Sequence, residues 1–411
     1  MGRVTLPDTS DVAISTLQFL IREQGRLGYM ATLEQITELS TLNQCTWECT
    51  EQSRWKETTQ RYIANMLPNN IRLQEDVLNN RYKVLPTTDF TLNERGKIRK
   101  IEAPAIRDRI IQKSLMKQVL LPSLRPYLIY DNYASIKMRG TTFARSRFER
   151  MLKNYFHHYG RNGYVLQIDI RKYFENIDHD VLKKLIAPRL RNESKEVIDL
   201  IHYIIDCSSK TGKGLNLGSE VPQILAIYYL NPIDHFVKVV KGVRYYGRYM
   251  DDIFIIGESK TKLQALLEEL KKELAKLRLC VNDKKTHIVK LTHSFTFLQI
   301  KYDLLPSGKI LKRPSHNKIV RERRRLKAFR REMDRDIMTE PEVYNCYQSW
   351  RGCVVKDHNA CLKTLVRLDS VYKGLFPPHV EEKKKEGRGD IVSCIWKDAE
   401  ARDIKYCLTF N

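Results

Sequence analysis

Asp251 and Asp252 stand side by side between the strand-like run VRYYGRY and the apolar run IFIIG. Neighbouring side chains in a strand point to opposite faces, so an acid pair joining two apolar runs must sit at a tight turn or go unsatisfied. A third acid, Asp169, interrupts the otherwise apolar, β-prone run YVLQIDI far upstream. Three carboxylates at neighbouring strand ends can hold two divalent cations about 3.5–4 Å apart, one activating an attacking hydroxyl and the other neutralising a triphosphate and its leaving group. Oxygen ligands that share the metal shell with substrate phosphates suit Mg2+. A plain Asp-Asp hairpin turn is the competing explanation. Hydrophobic strands on both sides, an isolated strand acid and a basic surround weigh against it.

The charge balance points to a polyanionic partner. The chain has 411 residues, with 72 Lys and Arg against 49 Asp and Glu, a net charge of +23. Neutralising phosphates with Lys and Arg releases condensed counterions, so nucleic acid is the simplest partner for such a surplus. A composition of 42% apolar and 29% charged residues can build cores and excludes collagen-like and wholly disordered classes. The length implies two or three packed units. No apolar run is long enough to span a bilayer, so no membrane partner is expected. The start MGRVTLPDTSD lacks the features of a signal peptide, and Leu6 stands where a myristoylation signal needs Ser or Thr. Nine scattered Cys read as reduced thiols of a cytoplasmic protein.

Elements to position the acids can be read from periodicity. Residues 1–80 are helical in pattern, with a stripe such as Ile14, Leu17, Leu20 and Ile21. The segment GKIRKIEAPAIRDRI packs cations around a strand-like core, and a loop surrounds Gly140. After YVLQIDI come helices in DHDVLKKLI and SKEVIDLIHYII. Ser219 is positioned to cap a helix with Pro222 in its first turn, and Asn231-Pro232 restarts or kinks it. Two strands then flank Asp251-Asp252. A stripe of Leu263, Leu266, Leu267, Leu270, Leu274 and Leu277 marks a long amphipathic helix, and LCV and THIVKL read as a strand pair about the turn Asn282-Asp283. Strand–helix–strand–strand–helix–strand is the split plan of a ferredoxin-like sheet. Beyond Pro314 a strongly basic helix keeps Leu326, Phe329, Met333 and Ile337 at helical spacing, with Pro341 closing it.

The stretch from about Lys97 to Tyr302 resembles reverse transcriptases, on the strings KYFENIDHDVL and YGRYMDDIFI. The resemblance implies an α+β, right-hand polymerase with fingers, a ferredoxin-like palm sheet and a helical thumb, making DNA on an RNA template from dNTPs. The division expected is 1–80 as a helical extension, 81–160 as fingers, 161–302 as palm (with 180–215 partly fingers), 303–376 as thumb and 377–411 as a tail. Asp169, Asp251 and Asp252 look like the acids that hold two Mg2+ ions, with Ile170 as a further metal contact. Phe174 looks like the bulky residue that rejects a ribose 2′-hydroxyl. Lys285, with Lys284 as the alternative, resembles the lysine that protonates departing pyrophosphate. Lys97 and Arg99 resemble cations that hold the incoming triphosphate; Tyr249, Met250 and Gly218 would line the nucleotide, Gly218 by letting backbone approach it. Arg139 would lie near the template. FLQIKY resembles a primer-gripping hairpin, with Gln299 where a second Gly is usual. RRRLKAFRR would be a thumb helix, with Arg321, Arg324, Arg325 and Lys327 facing the RNA/DNA duplex.

One departure is plain. Many relatives carry Pro-Gln-Gly before the palm helix, where this chain has Asn216-Leu217-Gly218. Enzymes of diversity-generating retroelements also lack that Gln, and their YDSYA-like string resembles YDNYA here, although LGSEVPQ is not their usual run. Strings typical of retrons, a His/Asn endonuclease cluster and an acidic RNase H constellation are not seen. A stand-alone bacterial enzyme of a retroelement or antiphage system is therefore expected, with a non-coding RNA or accessory protein as a further partner. Template-independent or protein-primed synthesis, and a catalytically silent RNA-binding scaffold, are the alternatives; three mutually repelling acids disfavour the scaffold. Cys346, Cys353, His358 and Cys361 match no common zinc spacing and read as packing residues.

Overall fold

The computed structural model describes residues 31–377, apart from 95, 96, 137, 210 and 217. The Ile14–Ile21 stripe and most of the expected C-terminal tail lie outside the described residues. The fold is mixed helix and sheet.

The helical start holds α1 (Leu39–Thr50), α2 (Glu57–Ala64) and α3 (Met66–Leu78). Cys45 and Cys49 both point into its core. A two-stranded ribbon follows, β1 (Thr88–Glu94) antiparallel to β2 (Lys97–Ala103), then α4 (Ile106–Leu115). Buried Asp108 ties the connection down by accepting from the Tyr82 hydroxyl at 2.8 Å and the Leu85 amide at 2.9 Å.

The central sheet has four antiparallel strands: β3 (Tyr164–Ile168), β4 (Tyr246–Tyr249), β5 (Asp252–Gly257) and β6 (His287–Lys290), in the order β4-β5-β3-β6. That order and the intervening helices are those of the split plan read from the sequence. Central β3 and β5 are apolar on both faces because both are covered. Leu166, Ile168, Ile253 and Ile255 face the helical side; Val165, Phe254 and Ile256 face an aromatic cluster. The helical side is built by α6 (His179–Leu190), α7 (Lys195–Cys207), α8 (Glu220–Tyr229), α9 (Asn231–His235) and α10 (Lys260–Lys276). Asp178, Ser194 and Ser259 cap α6, α7 and α10 with side-chain hydrogen bonds. Ser219 sits at the N-cap of α8, but its hydroxyl makes no capping bond.

The opposite face is closed by α5 (Thr141–Tyr159) and a second antiparallel sheet, β7 (Phe295–Phe297), β8 (Ile300–Leu304) and β9 (Ile310–Pro314). Phe148 of α5 is the hub, with ring centres 4.8 Å from Phe254, 5.0 Å from Phe297 and 5.1 Å from Tyr302. The β7–β8 turn places Leu298 and Gln299 at φ +45° and +69°, so Gln299 occupies a conformation that favours glycine.

Three local expectations are corrected. LCV does not pair with THIVKL: Val281 bridges instead to Ile170, so this segment pairs just beyond the C-terminal end of β3. Strand β9 was not foreseen in a segment assigned to a helical unit; the turn at Gly308, φ +81°, returns the chain to pair with β8. The basic helix α11 (His316–Met333) ends eight residues before Pro341, which instead opens α12 (Glu340–Asp357), and Ile337 is exposed between them. Leu326, Tyr347 and Tyr372 form the small core joining α11, α12 and α13 (Leu362–Leu375).

Candidate active site

The β3–β5 ladder runs from Tyr164↔Gly257 to Ile168↔Ile253, and one more step of that register sets Asp169 beside Asp252. Asp252 begins β5 opposite Tyr249 of β4, so Met250 and Asp251 form a two-residue turn. Met250 takes a left-handed φ of +53°, which lets so short a connection follow the strand twist. The acids from distant parts of the chain thus meet at one end of the central sheet.

The turn before β6 encloses Asp169. Its main-chain carbonyl accepts from the Asn282 amide at 2.8 Å, and its Oδ2 accepts from Asn282 Nδ2 at 2.8 Å. Its Oδ1 accepts from Lys285 Nζ at 2.9 Å. Asp169, Asp252, Lys284, Lys285 and His287 line one cavity of about 370 Å3, bounded on its far side by Phe297 and Leu298 of the β7–β8 hairpin. Of the two lysines, it is Lys285 that bonds the acid. Ile170, whose buried side chain is hydrocarbon and has no donor atom, could offer a cation only its main-chain carbonyl.

Crowding raises the carboxyl pKa values. Asp252 opens on the cleft; loss of part of its hydration there, then the charges of Asp251 and Asp169, push its carboxyl up to about 7. Asp251 is also raised, by burial first and then by Asp169. Its hydrogen bond to Asp169 raises Lys285.

Among the described residues, no three acidic, His or Cys side chains already converge on one metal-sized point. The donor set nonetheless fits a hard cation. Three carboxylates are held close enough to repel, with one flexible ammonium as the counter-charge, and oxygen ligands are what Mg2+ takes. Asp169, Asp251 and Asp252 are the residues that would hold it.

The remaining expected residues differ in their surroundings. Phe174 lies in the short turn after Asp169, half-buried, its ring 5.6 Å from Tyr173, and Tyr249 and Met250 are half-buried at the acid turn. Lys97 and Arg99 sit on β2, and their side chains lie outside the described residues. Arg321, Arg324 and Lys327 are exposed along α11. Three others have structural partners. A Cβ on Gly218 would lie 2.5 Å from Pro104 and 2.6 Å from the Glu102 carbonyl, so this glycine admits the base of the ribbon rather than a ligand. Arg325 turns into the α11–α12 contact, bonding Glu322 at 2.6 Å and the Cys346 carbonyl at 3.3 Å. Arg139 donates to the Tyr130 and Asn132 carbonyls at 2.9 Å and lies over the Tyr130 ring. Cys346, Cys353 and Cys361 differ in exposure, and His358 Nδ1 bonds the Val354 carbonyl at 2.8 Å.

Sequence reasoning did not single out Asn282 or the pair Arg248–Asp234. Asn282 was read only as a turn former. Arg248 carried the same signal as Asp169, a charge inside an apolar strand that must find a buried partner.

Three kinds of similarity to known proteins are found. Residues 87–302, more than half of the chain, match the family model described as reverse transcriptase (RNA-dependent DNA polymerase). Protein YkfC of Escherichia coli K12 is 23% identical over 269 residues, covering 55% of this chain and 69% of that protein. Among solved structures, apo telomerase from Candida tropicalis truncated from its C-terminal domain superposes with a TM-score of 0.43 at 14% identity, covering 60% of each chain. Telomerase from Candida albicans in complex with a fragment of telomeric RNA gives 0.46 at 11% identity, covering 79% of this chain and 58% of that one. The chain thus spans about three fifths of the length of these telomerases.

Proposed function

The chain belongs to the reverse transcriptase family, and from that premise we propose that it synthesises DNA on an RNA template, joining dNTPs to a primer 3′-hydroxyl with two Mg2+ ions. The observation that carries this reading is the register that sets Asp169 beside Asp252, with Asp251 in the adjoining turn. Bound metal would lower the charge on the triphosphate and favour ionisation of the attacking hydroxyl. The three carboxylates hold that charge at the end of the sheet. Lys285 Nζ, within the same cavity, carries a proton that it can give to the departing pyrophosphate. Phe174, on the turn after Asp169, is suited to exclude a 2′-hydroxyl.

The ribbon β1–β2 and its neighbours act as fingers, the central sheet as palm, and α11 to α13 as thumb. The exposed cations Arg321, Arg324 and Lys327 would face the phosphates of an RNA/DNA duplex, a role their spacing along one helix supports. The setting we propose is a bacterial retroelement or antiphage system, in which a non-coding RNA or accessory protein supplies the template or priming site. Among the described residues no helix is long and apolar enough to cross a membrane.

The test is primer extension by the purified full chain with annealed RNA template, dNTPs and Mg2+. Asp251→Asn should abolish incorporation while RNA affinity stays within about threefold, because the loss is of a metal ligand rather than of phosphate contacts. Parental extension by that variant would overturn the metal assignment. Chelation should stop the reaction and added Mg2+ should restore it.

A further inference from the structure

The turn that presents Asp251 and Asp252 is fastened from beneath by an ion pair that solvent does not reach. Arg248 and Asp234 both have side chains 0% exposed. Arg248 Nε donates to Asp234 Oδ1 at 2.8 Å and Nη2 to Oδ2 at 2.5 Å, a two-pronged contact that fixes the plane of the guanidinium. Tyr246 donates to the same Oδ1 at 2.5 Å. The guanidinium has donors to spare. Nη1 reaches the Met250 carbonyl at 2.9 Å and Nη2 the Ile227 carbonyl at 3.0 Å.

The bond to Met250 goes to the one turn residue with a left-handed backbone, a conformation that persists only where surrounding contacts impose it. Asp234 belongs to α9, the helix restarted at Asn231-Pro232, so the pair ties a helix on the covered face of the sheet to the turn at its tip. For stability alone, a buried ion pair can be replaced by apolar residues of similar volume without loss. Apolar residues cannot hold a carbonyl. We propose that Arg248, aligned by Asp234, is a positioning residue that sets the pose of the Met250-Asp251 turn and so the geometry in which Asp251 and Asp252 meet divalent cations. This rests on the polymerase reading above.

The experiment separates positioning from folding. Arg248→Met alone leaves Asp234 charged and buried, and should unfold at a much lower temperature than the parent. The triple variant Arg248→Met, Asp234→Leu, Tyr246→Phe removes both charges and the orphaned hydroxyl, and should recover thermal stability. The metal readout should not recover. Mn2+ binding measured by calorimetry on the full chain should remain weaker by roughly tenfold or more, the usual consequence of losing a group that orients a metal ligand. In primer extension, kcat should fall and the Mg2+ requirement rise, while the dNTP KM stays within about threefold of the parent, as for an interaction used in the transition state.

Arg248→Lys supplies the second arm. Its ammonium keeps the charge beside Asp234 but has no fork with which to hold Asp234 and the Met250 carbonyl together. It should stay folded and show the same weakening of Mn2+ binding. A folded triple variant or Arg248→Lys protein that binds Mn2+ and extends primers like the parent overturns the proposal. A parent that binds Mn2+ and extends no primer would overturn the polymerase reading instead, and the Mn2+ comparison would still decide the role of Arg248.

Discussion

Lys285 Nζ lies 2.9 Å from Asp169 Oδ1, so the side chain expected to donate a proton also neutralises the first acid of the site. An ammonium and a divalent cation compete for that carboxylate. Lys285→Ala should therefore bind Mn2+ tighter by a few-fold, a modest gain because the lysine is 64% exposed and its charge is screened. The same variant should lose about 10²–10⁴-fold in kcat, the range for general acid catalysis. Calorimetry and single-turnover extension check the two effects separately; unchanged turnover would remove the acid role.

The acids also set a pH dependence. Burial, then the charges of Asp251 and Asp169, push the Asp252 carboxyl from the usual 3.8 up to about 7, so between these values the folded state binds more protons than the unfolded state. Stability contributed by that proton is present at acidic pH and is lost as pH rises through the window. Asp252→Asn keeps the shape without the charge. At pH 8 in chelator it should melt about 1 °C above the parent, corresponding to ~1 kcal/mol after allowance for solvent screening and spread over a chain of this length. The advantage should vanish toward pH 4, and Mg2+ should raise the melting temperature of the parent more than that of the variant. Melting curves at both pH values, with and without Mg2+, are the measurement.

Phe174 occupies the turn that follows Asp169, half-buried against Tyr173. Phe174→Ala should raise ribonucleotide incorporation relative to deoxyribonucleotide by on the order of 10-fold or more, since steric exclusion is lost while the phosphate contacts remain. Competition between rNTP and dNTP reads the ratio. Unchanged selectivity would assign Phe174 to packing alone.

Exposed Arg321, Arg324 and Lys327 lie along α11, whereas Arg325 is engaged by Glu322 and the Cys346 carbonyl. Replacing any one of the first three by Ala should weaken RNA/DNA binding and reduce the slope of log affinity against log salt by about one phosphate contact. Arg325→Ala should instead lower thermal stability and leave that slope unaltered. Filter binding across a salt series distinguishes the two behaviours.

The chain alone determined the features that depend on residue type and local period. An acid inside YVLQIDI and an acid pair between two apolar runs cannot rest in a core, so Asp169, Asp251 and Asp252 were legible as a site. The helices in DHDVLKKLI and SKEVIDLIHYII, the Leu263–Leu277 stripe and the alternation of helix with strand were legible from local period, whereas Ser219, which looked like a cap, makes no capping bond. Tertiary structure decided what depends on partners distant in sequence. Val281 could pair with THIVKL or with Ile170, and the hydrogen bonds that Asn282 makes to Asp169 select the second. Gly218 could meet a ligand or another strand, and the ribbon base at Glu102 and Pro104 fills the space. Arg325 shares a helix and a charge with Arg324, but only the fold supplies it with Glu322. Periodicity states that a side chain must be buried, exposed or paired; three-dimensional contact states with what, because the partner is chosen by packing across the chain and not by neighbours along it.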